Sequence, residues 1–168
     1  MSLADSLFLA GALEAAARGW RVFPLIPGEK KPLIKEWPKF ATTDKGHLAS
    51  WWKQWPEANV GIATGSGSGL LVFDVDMDLE KGTDGELTIA ELEQRHGPLP
   101  HTVQALTPRG GRHFYFKNPQ GHEIRNSAGE SGVGHGLDVR ANGGYVVAPP
   151  SVWEDRKPYA YCVRSSPR

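Results

Sequence analysis

A chain of 168 residues has the length of one compact domain, and at 39% hydrophobic and 23% charged it can build a core and does not read as disordered. Basic and acidic residues balance at 19 each, so the whole-molecule field attracts no polyanion and any nucleic-acid partner must be held by a local basic surface. The single cysteine, Cys162, excludes an internal disulfide and a cysteine-rich zinc site, and it fits a reducing compartment such as a bacterial cytoplasm.

The first segment, MSLADSLFLAGALEAAARGW, lacks the basic start of a signal peptide, and Asp5 and Glu14 interrupt its apolar run. Leu3, Leu7, Ala10, Leu13 and Ala17 follow helical spacing and predict an amphipathic surface helix stopped at Gly19. RVFPLI then reads as a short strand closed by Pro27 and Gly28, and GEKKPLIKEWPKF as a long lysine- and proline-rich loop. TTDKGHLASWWKQWP predicts a helix capped by Thr42, Thr43 or Asp44. Trp51 and Trp55 lie one turn apart on it and are expected in the core rather than stacked on bases. NVGIAT and LLVFDVD read as strands around the turn GSGSG, which no Lys-Ser or Lys-Thr follows, so it is no phosphate-binding P-loop. TDGELTIAELEQRHG predicts a helix from a Thr or Asp cap to Gly97. Strands dominate thereafter: HTVQALT, RHFYFK, GLDVR, GYVVAP and PYAYCV. The pattern favours a single α+β domain with a mixed or antiparallel sheet and flanking helices. No stretch is apolar for long enough to span a membrane.

Three motifs carry chemistry. In LLVFDVDMD an apolar strand runs into Asp74 and Asp76, which alternation puts on one face. Two carboxylates there repel unless a cation lies between them, and hard oxygen ligands suit Mg²⁺ or Mn²⁺. The alternative is a solvated acidic loop, with Asp78, Glu80 and Asp84 in its favour. In TPRGGRHFYF, His113 opens an aromatic strand behind two glycines, with Arg109 and Arg112 beside it. It either donates to a phosphate or is hydrogen-bonded within the core. In GLDVRANGGYVVAPPS, Asp138 is a further carboxylate, a turn cap or a partner for Arg140.

Taken together, these motifs resemble the bifunctional DNA primase-polymerase domain of the archaeo-eukaryotic primase superfamily. GWRVFPLIPGEKKPL, NVGIATG, GLLVFDVD, GGRHFYF and LDVRANGGYVVAPPS carry the resemblance in order, and the closing Pro-Pro-Ser is the most distinctive part. It implies a primase catalytic core with an RRM-like palm over residues 1–168. It also implies a two-metal site of Mg²⁺ or Mn²⁺ on Asp74, Asp76 and Asp138, with His113 on the incoming nucleotide's phosphates. Arg112 and Lys31 are expected to help bind the nucleotide, with Arg109 and Lys30 as further candidates. Gly111 stands where the wider superfamily often has serine, so no serine contact carries over. The implied partners are nucleoside triphosphates, a primer and a single-stranded template. The template would follow basic stretches at Lys30–Lys39, Arg109–Arg125 and Arg156–Arg168. Such domains often head larger replication proteins of phages, plasmids or mobile elements, joined to a helicase. A haloacid dehalogenase-type phosphatase also begins with an apolar strand and D-x-D, but the strand-rich second half argues against it. A binding module without turnover is the other alternative.

Overall fold

The computed structural model describes residues 3–129, 132–153, 155 and 157–162. Helix α1, Leu3–Ala17, is followed by β1, Val22–Leu25; a one-turn helix α2, Trp37–Phe40; and α3, Lys45–Gln54. Next come β2, Asn59–Ala63, and β3, Leu70–Val75. A small ribbon of β4, Met77–Asp78, and β5, Thr83–Asp84, leads into α4, Gly85–His96. The rest is β6, Val103–Leu106; β7, Arg112–Lys117; β8, Leu137–Arg140; β9, Tyr145–Ala148; β10, Val152–Trp153; β11, Lys157–Pro158; and β12, Ala160–Tyr161.

These strands form two main antiparallel sheets, β1-β2-β9 and β12-β6-β7-β3-β8. The α+β expectation therefore holds, with every pairing between the named strands antiparallel. One core joins the sheets. Val22, Val60, Ile62 and Val146 from the first meet Leu70, Val72, Ala105 and Tyr115 from the second, sealed by Phe8, Ala12 and Ala15 of α1 and by Leu48 and Trp52 of α3. Across the large sheet, Ile89 of α4 packs on Val75, Phe114 and Leu137. Strand β2 is buried on both faces, because its opposite face meets Phe23, Leu25 and Val147.

The N-terminal helix departs from its expected stripe. Phe8, Gly11, Ala12, Ala15 and Ala16 are buried, while Leu7 is 56% exposed and Ala10 and Ala17 are exposed. A Cβ on Gly11 would fall 2.3 Å from Pro150 Cδ, so the helix docks through its smallest residues, closer than a leucine stripe allows. The tryptophans are core residues as expected, but the fully buried one is Trp52, whose indole donates to Ala58 O at 2.9 Å. Trp51 and Trp55 are partly buried against that core.

Asp44 caps α3 by accepting from His47 N at 2.7 Å, and Asp84 caps α4 by accepting from Glu86 N and Leu87 N. The lysine loop carries the unexpected α2, because Trp37 stacks on Phe23 with centroids 4.6 Å apart and pulls that turn onto the small sheet. Among the described residues, no helix is long and apolar enough to cross a membrane.

Candidate active site

Strand β3 lies between β7 and β8, and its register decides what the site contains. Asp74 is directly opposite His113 on β7 and directly opposite Asp138 on β8. Residues in register on neighbouring strands share a face, so residues 74, 113 and 138 form one row across three strands. Two residues further along that face, Val72 belongs to the core, so the row lies where the apolar strand leaves the interior.

The row is tightly bonded. His113 Nε2 lies 3.2 Å from Asp74 Oδ1, and the imidazole is 4% exposed. Arg140 donates through Nη2 to Asp138 Oδ2 at 2.7 Å and to Asp74 Oδ2 at 3.3 Å. Gly129 N donates to Asp138 Oδ1 at 2.9 Å. Burial pushes the Asp74 carboxyl up, but attraction and a hydrogen bond from His113, with Arg140 adding to them, outweigh that and bring its pKa down to about 2. The other imidazole nitrogen, His113 Nδ1, is buried without a partner among the described residues.

Asp76 follows the end of β3. Its backbone is pinned on both sides: its N–H donates to Gly136 O at 2.8 Å, and its carbonyl accepts from Gly85 N at 2.9 Å. Its carboxyl pKa is raised, first by desolvation and then by the charges of Asp74 and Asp138. Gly111, two residues before the histidine, serves the backbone here. A Cβ there would lie 2.2 Å from Val75 O, so only glycine lets the strand entry pass so close to the D-x-D strand.

A cleft of about 470 Å³ opens over Asp74 and His113 of this row, between the end of the large sheet and β9. Asp76 and Arg140 line it too, together with Lys30, Arg109, Tyr145, Trp153 and Tyr159. Lys30 Nζ is 3.8 Å and the Arg109 guanidinium 4.5 Å from the centre of the Trp153 ring, an arrangement that holds two cations at the cleft wall. Tyr145 OH donates to Lys30 O at 2.9 Å. Burial, with Asp74 and Asp76 nearby, pushes the Tyr159 phenol far above its ordinary range, so it remains a neutral hydroxyl.

The sequence that lines this cleft reads as a known family. A family model for the bifunctional DNA primase/polymerase N-terminal domain (Prim-Pol) matches residues 12–168. The chain belongs to the Prim-Pol family. No curated protein sequence matches it. The family's description is that of a DNA primase and polymerase domain.

Within this Prim-Pol chain, the expected site residues separate into two groups. Asp74, Asp76, His113 and Asp138 come together. Arg112 and Lys31 do not join them. Arg112 opposes Val75 in the register and so points to the far face. There it donates to both carboxylate oxygens of Glu86 on α4, at 2.7 and 2.6 Å, and to Gln104 at 3.1 Å. Lys31 is 79% exposed and 3.9 Å from Glu29, while its neighbour Lys30 faces the cleft. Tyr145, Trp153 and Tyr159 were not legible as site residues, because spaced aromatics in late strands read as ordinary core. Arg140 was legible only as a partner for Asp138. Arg156 and residues 163–168, which hold most of the third basic stretch, lie outside the described residues.

The carboxylates fit a hard divalent cation by donor type: all are oxygen donors, and the carboxylate of Asp76 has no hydrogen bond or ion pair among the described residues. As the side chains stand, no three histidine, cysteine, aspartate or glutamate residues among those described converge as a metal site. The reason is visible in the row: both oxygens of Asp74 and both of Asp138 are turned to His113, Arg140 and Gly129.

Proposed function

We propose that this chain is a metal-dependent, template-directed nucleotidyltransferase that makes and extends primers, using Mg²⁺ or Mn²⁺ held by Asp74, Asp76 and Asp138. The observation that carries the reading is the cross-strand row of residues 74, 113 and 138, whose Asp74 and His113 line a cleft together with Asp76, Lys30 and Arg109. A bound divalent pair would supply charge neutralisation at the triphosphate and a lowered pKa at the primer hydroxyl. The protein's own part is positioning. Lys30 and Arg109, steadied on Trp153, face the cleft that receives the triphosphate, and their charges balance the carboxylate floor. His113 lines the cleft with its ring beside Asp74, where a small turn of the ring would bring a nitrogen to a bound phosphate. Tyr159 and Trp153 wall the cleft with apolar rings, and limiting water there strengthens each charge contact. The partners in this reading are nucleoside triphosphates, a primer and a single-stranded template.

Primer extension with deoxynucleotides and Mg²⁺ or Mn²⁺ tests the proposal. Wild type should extend a labelled primer. Asp74→Ala with Asp76→Ala should abolish extension, and His113→Ala should reduce kcat/KM by about a hundredfold, the loss of a strong charge-assisted contact. Folded wild type that extends with neither metal would overturn the reading in favour of a binding module.

A further inference from the structure

Arg140 occupies the position a shared cation would take. Its Nη2 donates to Asp138 Oδ2 at 2.7 Å and to Asp74 Oδ2 at 3.3 Å, with Nε 3.4 Å from the same Asp74 oxygen. The guanidinium therefore bridges two carboxylates that face each other across adjacent strands. Its side chain is 26% exposed, and those of Asp74 and Asp138 are 16% and 13% exposed. Ion pairs this sheltered are screened far less than surface pairs. A divalent ion bridging those two oxygens would have to take the space the guanidinium fills between them, and the two cations repel there.

We infer that Arg140 is a resident counter-ion, which neutralises the carboxylate row while it is empty and must be displaced for a metal to bridge Asp74 and Asp138. The inference rests on the metal-dependent reading above. It accounts for two observations among the described residues at once: the carboxylates of Asp74 and Asp138 share a row yet do not converge as a ligand set, and that of Asp76 has no hydrogen bond or ion pair. Displacement costs little travel, because Arg140 already lines the cleft. Once released, the guanidinium joins Lys30 and Arg109 on the side of the incoming triphosphate. The exchange makes a metal ion alone a weak ligand, and metal together with triphosphate a strong one, because the second gives the displaced cation a new anion. Arg140 is thus a positioning residue that sets the order of assembly.

Binding of Mn²⁺ alone to the full chain, followed by the loss of the free-ion electron paramagnetic resonance signal, tests this. Arg140→Gln should bind Mn²⁺ about tenfold more tightly than wild type, which is about 1.4 kcal/mol. Arg140→Lys, which keeps the charge but loses the two-pronged bridge, should fall between them. Lys30→Met removes another cation whose field reaches both Asp74 and Asp76 without bridging them, and it should change the affinity less than threefold. Affinity in Arg140→Gln equal to or below wild type would overturn the inference. So would an equal gain in Lys30→Met, which would reduce the effect to a general field. Binding that survives Asp74→Asn with Asp76→Asn would place the ion elsewhere and overturn the inference together with the metal reading. The predicted affinity series in a chain that extends no primer would leave the exchange standing and sink only the polymerase reading.

Discussion

At the scale of the residue, the two carboxylates of the D-x-D motif do opposite things to stability. Asp74 is paired with His113 and Arg140, and its pKa is lowered from 3.8 to about 2. A lowered carboxylate pKa stabilises the fold above pH 3.8, and that contribution is lost as the pH falls through about 2. Its size is about 2 kcal/mol. Asp76 has the reverse shift, so its ionised form is the one the fold disfavours, and its protonation as pH falls relieves a strain rather than creating one. In metal-free buffer at pH 7, Asp74→Asn should lower the urea midpoint. Asp76→Asn should raise it by no more than about 0.5 kcal/mol in stability, because the group faces solvent. The wild-type advantage over Asp74→Asn should shrink steadily below pH 3.8 and be mostly lost by about pH 2. Two carboxylates that shift stability in the same direction would show that the charge balance of the row is misread. The residue types of this row were legible in sequence, since D-x-D, Gly-Gly-x-His and a later Asp name their chemistry. The same alternation that groups Asp74 with Asp76 separates Arg112 from His113, its neighbour in a strand. That signal was present for Arg112. For Tyr159 and Trp153 none was, because burial and loop closure place them.

At the scale of the element, two of the segments that line the cleft are tied to one buried side chain. Asn59 on β2 is fully buried. Its Nδ2 donates to Glu29 O at 2.9 Å and to Val152 O at 2.7 Å, and its Oδ1 accepts from Val152 N at 3.0 Å. Glu29 precedes Lys30, and Val152 precedes Trp153, so Asn59 sets the distance between the cation and the ring that steadies it. Asn59→Ala should destabilise the fold by about 3 kcal/mol, the cost of stranding buried backbone groups and leaving a small cavity. It should also raise KM for the nucleotide several-fold while leaving kcat close to wild type, because the carboxylate row does not touch it. A kcat loss with KM unchanged would mean the wall plays no part in nucleotide binding. Most elements were legible from caps, glycine stops and apolar alternation, down to Asp44, Asp84 and Gly97. The N-terminal helix was misread because spacing weighs leucine above alanine, whereas docking against Pro149 and Pro150 selects for small side chains. Nothing local marked Asn59, since NVGIAT reads as a strand and an asparagine at its start carries no sign of burial.

At the scale of the whole molecule, the site exists only because six distant segments meet where two sheets join, from Lys30 to Tyr159. The order of motifs was legible in sequence, while the junction of the sheets was not, because long-range pairing leaves no periodic trace. Zero net charge bears on the long, flexible partner in the same way: a template strand feels no general attraction, so its binding should depend on a few local cations. We propose that the lysine loop supplies them. Lys31, Lys35 and Lys39 are all exposed along it, and Lys30 leads from it into the cleft. Each phosphate that such a cation neutralises contributes about 0.9 to the slope of log K against log salt for duplex and about 0.7 for single strands. Lys35→Glu with Lys39→Glu should therefore weaken primer-template binding at low salt and flatten that slope by roughly 1.5, two contacts' worth. The KM for nucleotide, which the proposed function assigns to Lys30, Arg109 and the carboxylate row, should stay within twofold. Fluorescence anisotropy across a salt series measures the slope directly. An unchanged slope would move the template path off the lysine loop and onto the stretch between Arg109 and Arg125, where Arg125 is 81% exposed.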